Sequence, residues 1–146
     1  MKTIASKTFW LSLLVAAACA APQKAKAPAG PVYTFSDIPM AELRTHVDQY
    51  RGTIFEDRVK YYQTYHSRED ADPTRRMQVI EGKTHFTARP VNQYTNIIKV
   101  QITPEQDKEI VAHGIYRQDV LRVRLRFAGR SPGGALAFDL LDVLEW

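Results

Sequence analysis

Arg122, Arg124 and Arg126 stand two apart in VLRVRLRF, residues Val120 to Phe127. In an extended strand, a period of two puts all three guanidiniums on one face. Leu121, Val123, Leu125 and Phe127 then point the other way, toward a core. A row of planar forks suits anion binding, because guanidinium matches the oxygens of carboxylates and phosphates. Arg75, Arg76 and Arg130 add further cations, and Tyr61, Tyr62 and Tyr65 add rings for stacking. The ladder also has a plain structural reading as the solvent face of an antiparallel strand. Glu56, Asp139, Asp142 and Glu145 are its candidate cross-strand partners, and its charge discourages edge-to-edge association.

Catalytic chemistry has no local carrier. The chain holds no GxSxG, HExxH, P-loop or GxGxxG pattern. His46, His66, His85 and His113 are never three or four residues apart, so no helical metal pair exists. Glu69, Asp70 and Asp72 lack the glycine and closing glutamate of a calcium loop. No metal or cofactor is expected. The reading is a non-enzymatic binding protein, with a site assembled from distant residues as the enzymatic alternative.

Charge narrows the class of partner. The chain carries 20 Lys and Arg against 16 Asp and Glu. Lys2, Lys7, Lys24 and Lys26 all precede Pro31, and without them the remaining 116 residues are formally neutral. Any basicity of the folded part is local, which disfavours nucleic acid as a partner.

Residues 1–18 combine Lys2 and Lys7 with the apolar run FWLSLLVAAA, the pattern of an export signal. Ten apolar residues are too few for a spanning helix, which needs about twenty. Residues 19–31 are rich in Ala, Pro and Lys and read as a flexible tether. Cys19 is the single cysteine, so the fold has no disulfide and must stand on its core. Ala18-Cys19-Ala20 fits cleavage before Ala21, which discards the thiol. Ala16-Ala17-Ala18-Cys19 resembles the lipobox of bacterial lipoproteins, with Ala16 where that family prefers Leu. The resemblance implies that Cys19 begins the mature chain and carries a diacylglycerol on its sulfur.

The elements that must position the arginines follow from pattern. DIPMAELRTHVDQY, Asp37 to Tyr50, has Met40, Leu43, Val47 and Tyr50 on one helical stripe, with Ser36 or Asp37 as cap and Pro39 in the first turn. TIFEDRVKYYQTYH, Thr53 to His66, reads as a long strand with Phe55, Val59, Tyr61 and Tyr65 on one parity. Asp57 shares that parity, which suggests a bulge or strand end nearby. Ser67 to Arg76 is a charged loop. Met77 to Arg89 reads as one strand kinked at Gly82, with a turn at Glu81-Gly82 as the alternative. Tyr94 to Ile102 alternates. Thr103, Pro104 and Gln106 form a capping box that opens a helix stopped by Gly114. Ala135 to Trp146 follows a Gly/Pro turn as a bulged strand, although Asp139, Asp142 and Glu145 have helical spacing.

Residues 32–146 thus form one domain. From Arg51 the order is three strands, a helix and two strands. This order resembles the OB-fold, a mainly β, five-stranded Greek-key barrel with a helix between its third and fourth strands; here an extra helix precedes it. The resemblance implies ligand contacts from the loops after the first and fourth strands, where Arg75, Arg76 and Arg130 fall. Together the features suggest an envelope module anchored through lipid on Cys19, binding a protein or an anionic glycan. In lipoprotein sorting, Ala20 in place of a retention-type Asp implies the outer membrane, with the domain facing the periplasm. A soluble exported single-stranded nucleic-acid binder is the alternative.

Overall fold

A computed structural model describes residues 30–93 and 96–146. The signal, Cys19 and nearly all of the tether lie outside the described residues. The elements run β1 (Val32–Tyr33), α1 (Met40–Thr45), α2 (Val47–Tyr50), β2 (Ile54–Ser67), β3 (Val79–Ile80), β4 (His85–Pro90), β5 (Ile98–Gln101), α3 (Pro104–Ala112), β6 (Val120–Arg130) and β7 (Leu136–Glu145).

Five strands close into a barrel in the order β2-β4-β5-β7-β6, with β6 returning to β2. The β5–β7 pairing is parallel and the other four are antiparallel. With α3 between β5 and β6, the architecture is a mainly β, OB-like barrel carrying two very short extra strands and an N-terminal helical segment. Length lets β2 serve both neighbours: Ile54–Lys60 pairs with β6 and Val59–Tyr65 with β4. The barrel interior is filled by alternate residues, among them Phe55, Val59, Phe86, Ile98, Val100, Leu121, Val123, Leu125 and Phe138, all fully buried.

The N-terminal segment packs into this core. Phe35 stacks on Phe55 at 5.0 Å and meets Phe138 edge-on at 5.5 Å. Met40 and Leu43 are buried beneath α1. Asp57, the acid at an inward parity, accepts a 2.8 Å bond from the Phe35 backbone N–H and so ties the segment to β2. The expected single helix over Asp37–Tyr50 is divided at His46, whose φ of −122° and ψ of 49° leave the helical region. Asp37 does not cap it. Its carboxylate accepts from the Thr34 N–H and hydroxyl at 2.7 and 2.9 Å, closing a turn one residue before Ile38.

Two further expectations change in detail. Met77 to Arg89 is not one kinked strand. β3 runs parallel to the end of β2, whereas β4 is antiparallel to it, so the chain reverses between Ile80 and His85. The 136–145 segment is a strand, and bulges account for its helical spacing. Three register shifts interrupt the β6–β7 ladder. Two of them, at Arg122/Val123 and Arg124/Leu125, let acids three apart meet arginines two apart: Asp139 faces Arg126, Asp142 faces Arg124 and Glu145 faces Arg122.

The α3 capping box forms as its sequence requires. The Thr103 hydroxyl accepts from the Gln106 N–H at 3.2 Å, and the Gln106 side chain accepts from the Thr103 N–H at 2.9 Å. Gln106 also donates to the Leu140 carbonyl at 3.0 Å, fixing α3 against β7.

Candidate functional site

A bulge in β2 decides which of its side chains face solvent. Tyr61 pairs with Ala88 and Gln63 with Thr87, leaving Tyr62 as an extra residue. Before the bulge odd-numbered residues point inward, and after it even-numbered ones do. His66 is therefore buried, while Tyr65 turns outward beside its register partner His85. The expected single parity through Tyr65 fails for this reason.

Tyr65 stacks on the His85 ring at 5.4 Å with an angle of 22°. His85 lines a cleft of about 290 Å³ between the turn after β3 and the turn after β6, over the outer face of β4 and β5. Lys83, Lys99, Gln101 and Ser131 line it with His85. Neither Lys83 nor Lys99 has an ion-pair partner among the described residues. The Ser131 hydroxyl is buried and has no hydrogen-bond partner among the described residues. Its backbone N–H donates to Ala135 and its carbonyl accepts from Gly134, both at 2.8 Å, so the residue is held by a tight turn while the hydroxyl is left over. A methyl group on Gly133 would come within 3.9 Å of the Lys99 ammonium, which places the turn directly against that cation.

His85 Nδ1 lies 2.9 Å from the Lys83 carbonyl and donates to it, since a carbonyl only accepts. Its partner nitrogen is left as an acceptor. Burial holds the His85 pKa below the ordinary 6.5, and the Lys99 ammonium lowers it further, against the opposing hydrogen bond to Lys83. The ring is thus a neutral platform beside two uncompensated ammonium groups.

On the opposite side of β2, His66 Nε2 meets Asp107 Oδ2 of α3 at 2.9 Å. This pair belongs to a second cleft, of about 360 Å³, lined by Tyr61, Thr64, Arg75 and Arg76. Tyr61 and Thr64 share a 2.9 Å hydroxyl contact. Burial raises the Tyr61 pKa above 10.0.

The candidate residues therefore fall in several places. Tyr61, Arg75 and Arg76 come together in the α3 cleft. Tyr65 lies beside the outer cleft. Tyr62 has the guanidiniums of Arg89 and Arg117 over its ring at 5.7 and 5.8 Å. Arg130 donates to the Arg44 carbonyl and holds α1 to the end of β6. The ladder is paired: Arg122 with Glu145 at 3.1 Å, Arg126 with Asp139 at 3.1 Å, and Arg124 with Glu56, whose Oε1 accepts from Nε at 2.7 Å.

The sequence reading did not single out Lys83, Lys99, Ser131 or the His66–Asp107 pair. Lys99 had a signal, since it alternates with the core residues Ile98 and Val100 and must face outward. Nothing local couples residues 66 and 107.

No protein-family model, curated protein or solved structure matches the chain.

Proposed function

We propose that this chain is a non-enzymatic binding module of a bacterial envelope, anchored through lipid on Cys19 and holding its domain off the membrane by the 19–31 tether. Its partner is a carboxylate-bearing chain, an anionic glycan or an acidic protein segment, laid across the cleft between the turn after β3 and the turn after β6. One observation carries the reading: among the described residues Lys83 and Lys99 make no ion pair and the buried hydroxyl of Ser131 beside them has no partner, while Glu81, which also lines the cleft, is paired with Arg68 at 2.7 Å. A carboxylate accepts from all three, and the Tyr65–His85 stack supplies a flat neighbour for a sugar ring. Loops at this position are where OB-like barrels hold extended ligands.

Titration of the full chain with a uronate oligosaccharide and its neutral counterpart tests the binding. The acidic sugar binds, the neutral one does not, and Lys83→Ala/Lys99→Ala weakens binding about tenfold or more. Equal binding of both sugars, or an unaffected double variant, refutes the site. Tight binding of single-stranded DNA with a steep salt dependence would instead favour the nucleic-acid reading. For the anchor, intact-mass measurement on membrane fractions should show a chain beginning at Cys19 with added lipid. An unmodified chain beginning at Ala21 removes the anchor from the proposal.

A further inference from the structure

His66 and Asp107 play no part in the outer cleft. Their side chains are only 8% and 11% exposed, so a titratable pair has been placed in the interior at the junction of β2 and α3. An ionised carboxylate only accepts hydrogen bonds, so His66 Nε2 carries the proton in the contact with Asp107. That fixes the other nitrogen. Nδ1 is a bare acceptor in the neutral ring and a donor in the imidazolium. It is buried and has no partner among the described residues. Buried polar atoms are normally hydrogen-bonded, and one held in place by an ordered neighbour but left unmatched calls for an explanation.

The ring lines the α3 cleft, and the same cleft is lined by Arg75 and Arg76. Both arginines are exposed, and neither makes an ion pair among the described residues. Asp72, the acid that feels the Arg75 charge, is already held by the Thr74 N–H and hydroxyl at 2.8 and 2.6 Å. Two neighbouring loop cations alone are an ordinary solvated surface. Two cations over a cleft whose wall holds an unmatched imidazole nitrogen have a common ligand chemistry. Guanidinium forks take two or three oxygens of one oxyanion, and a further oxygen reaches the ring.

We infer that the α3 cleft binds a tetrahedral oxyanion, inorganic phosphate or the phosphate of a monoester, between Arg75, Arg76 and His66 Nδ1. The bond between Nδ1 and the ligand oxygen holds one proton. Monohydrogen phosphate brings that proton as its own hydroxyl. Sulfate and the dianion of a monoester bring none, so with these His66 must take it from solvent, whereas a monoester monoanion brings its own. Among the described residues, the charged and titratable groups that line the cleft with the ring are Asp107 from α3, which contacts it, Tyr61 from β2, and Arg75 and Arg76 from the loop. A volume of about 360 Å³ exceeds a single phosphate and leaves room for the remainder of a small ester.

Titration of the full chain with sodium phosphate, sodium sulfate and glycerol 3-phosphate tests this, with the imidazole nitrogens followed by NMR. Phosphate should shift the Nδ1 resonance of His66 away from that of a bare imine nitrogen. Arg75→Ala/Arg76→Ala should weaken binding about tenfold or more while leaving the urea midpoint unchanged. Phosphate, which brings its own proton, should bind more tightly than sulfate, which brings none; equal affinity for the two removes His66 from the site. Tighter binding of glycerol 3-phosphate identifies an ester as the ligand; tighter binding of phosphate identifies the free ion. No Nδ1 shift below about 10 mM phosphate, or undiminished affinity in the double variant, overturns the inference. Lys83→Ala/Lys99→Ala should leave phosphate binding intact, so this site and the outer cleft stand or fall separately.

Discussion

The three arginines of β6 look equivalent in sequence, yet their surroundings predict unequal contributions to stability. Arg124 and Glu56 keep side-chain exposures of only 15% and 23%, whereas Arg126 and Asp139 keep 51% and 32%. Exposed ion pairs contribute about 0–1 kcal/mol, while removing one member of a buried pair costs about 3–5 kcal/mol because the other charge is stranded. The Arg124 pair lies between these limits, so Arg124→Met should cost about 2 kcal/mol. Methionine keeps the packing of the arginine stem and removes the charge alone. Arg126→Met, and Arg122→Met at 46% exposure, should each cost about 0.5 kcal/mol. For a domain of this size 1 kcal/mol shifts Tm by about 4–6 °C, so the drops are about 8–12 °C against 2–3 °C. Urea midpoints at constant slope provide the check. Glu56→Gln combined with Arg124→Met should recover at least about 1 kcal/mol relative to additivity, because neither charge is then left alone. Raising salt to about 0.5 M should shrink the Arg126 effect and spare most of the Arg124 effect. Equal losses at all three positions, or a larger loss at Arg126 than at Arg124, would refute the reasoning.

Two other perturbations read the same frame. Gly129 has a φ of +118°, and a methyl group there would meet the Arg51 guanidinium at 3.1–3.3 Å, so Gly129→Ala should cost about 1–3 kcal/mol by urea denaturation. Adding Arg51→Ala relieves the contact but not the backbone strain, so it should restore only part of the loss, and an unchanged midpoint for Gly129→Ala contradicts the reading. His85 has a folded pKa held below 6.5 by burial and Lys99, so the unfolded chain binds a proton that the folded chain excludes. Stability should fall as pH drops from about 6.5 through the lowered folded value, and His85→Gln should flatten that slope between pH 7.5 and 5.5; a slope that survives the substitution assigns it to another group.

Where a pattern is local, the sequence told the structure well. VLRVRLRF needs only its period of two to become β6, and Thr103, Pro104 and Gln106 need only their spacing to open α3. Element order then sufficed for an OB-like barrel, because β2 is long enough to pair on both sides and the helix falls between the third and fourth barrel strands. What the sequence concealed is register. Asp139, Asp142 and Glu145 have the spacing of a helix face, and only two irregularities of the β6–β7 ladder, at Arg122/Val123 and Arg124/Leu125, turn that spacing into a row opposite the arginines. Asp37 and Asp57 are both short acids near an element start, and only the fold decides that one closes a turn and the other anchors Phe35.

Both candidate clefts depend on one such shift. Were Tyr62 paired as a regular residue of the ladder instead of bulged from it, the inward parity of Phe55, Val59 and Tyr61 would continue to Tyr65, and His66 would face solvent. The outer cleft would lose the ring that stacks on His85, and α3 would lose the partner of Asp107. Bulging one residue out of the ladder thus exchanges the surroundings of two adjacent side chains. It puts the Tyr65 ring against His85 and the His66 imidazole in the cleft that Arg75 and Arg76 also line. Forcing Tyr62 into the ladder would therefore disturb the two sites together, although they open on opposite faces of β2, whereas deleting Tyr62 keeps Gln63 opposite Thr87 and should leave Tyr65 outward and His66 inward. That shared dependence is a property of period-two geometry: a one-residue slip reverses every side chain beyond it.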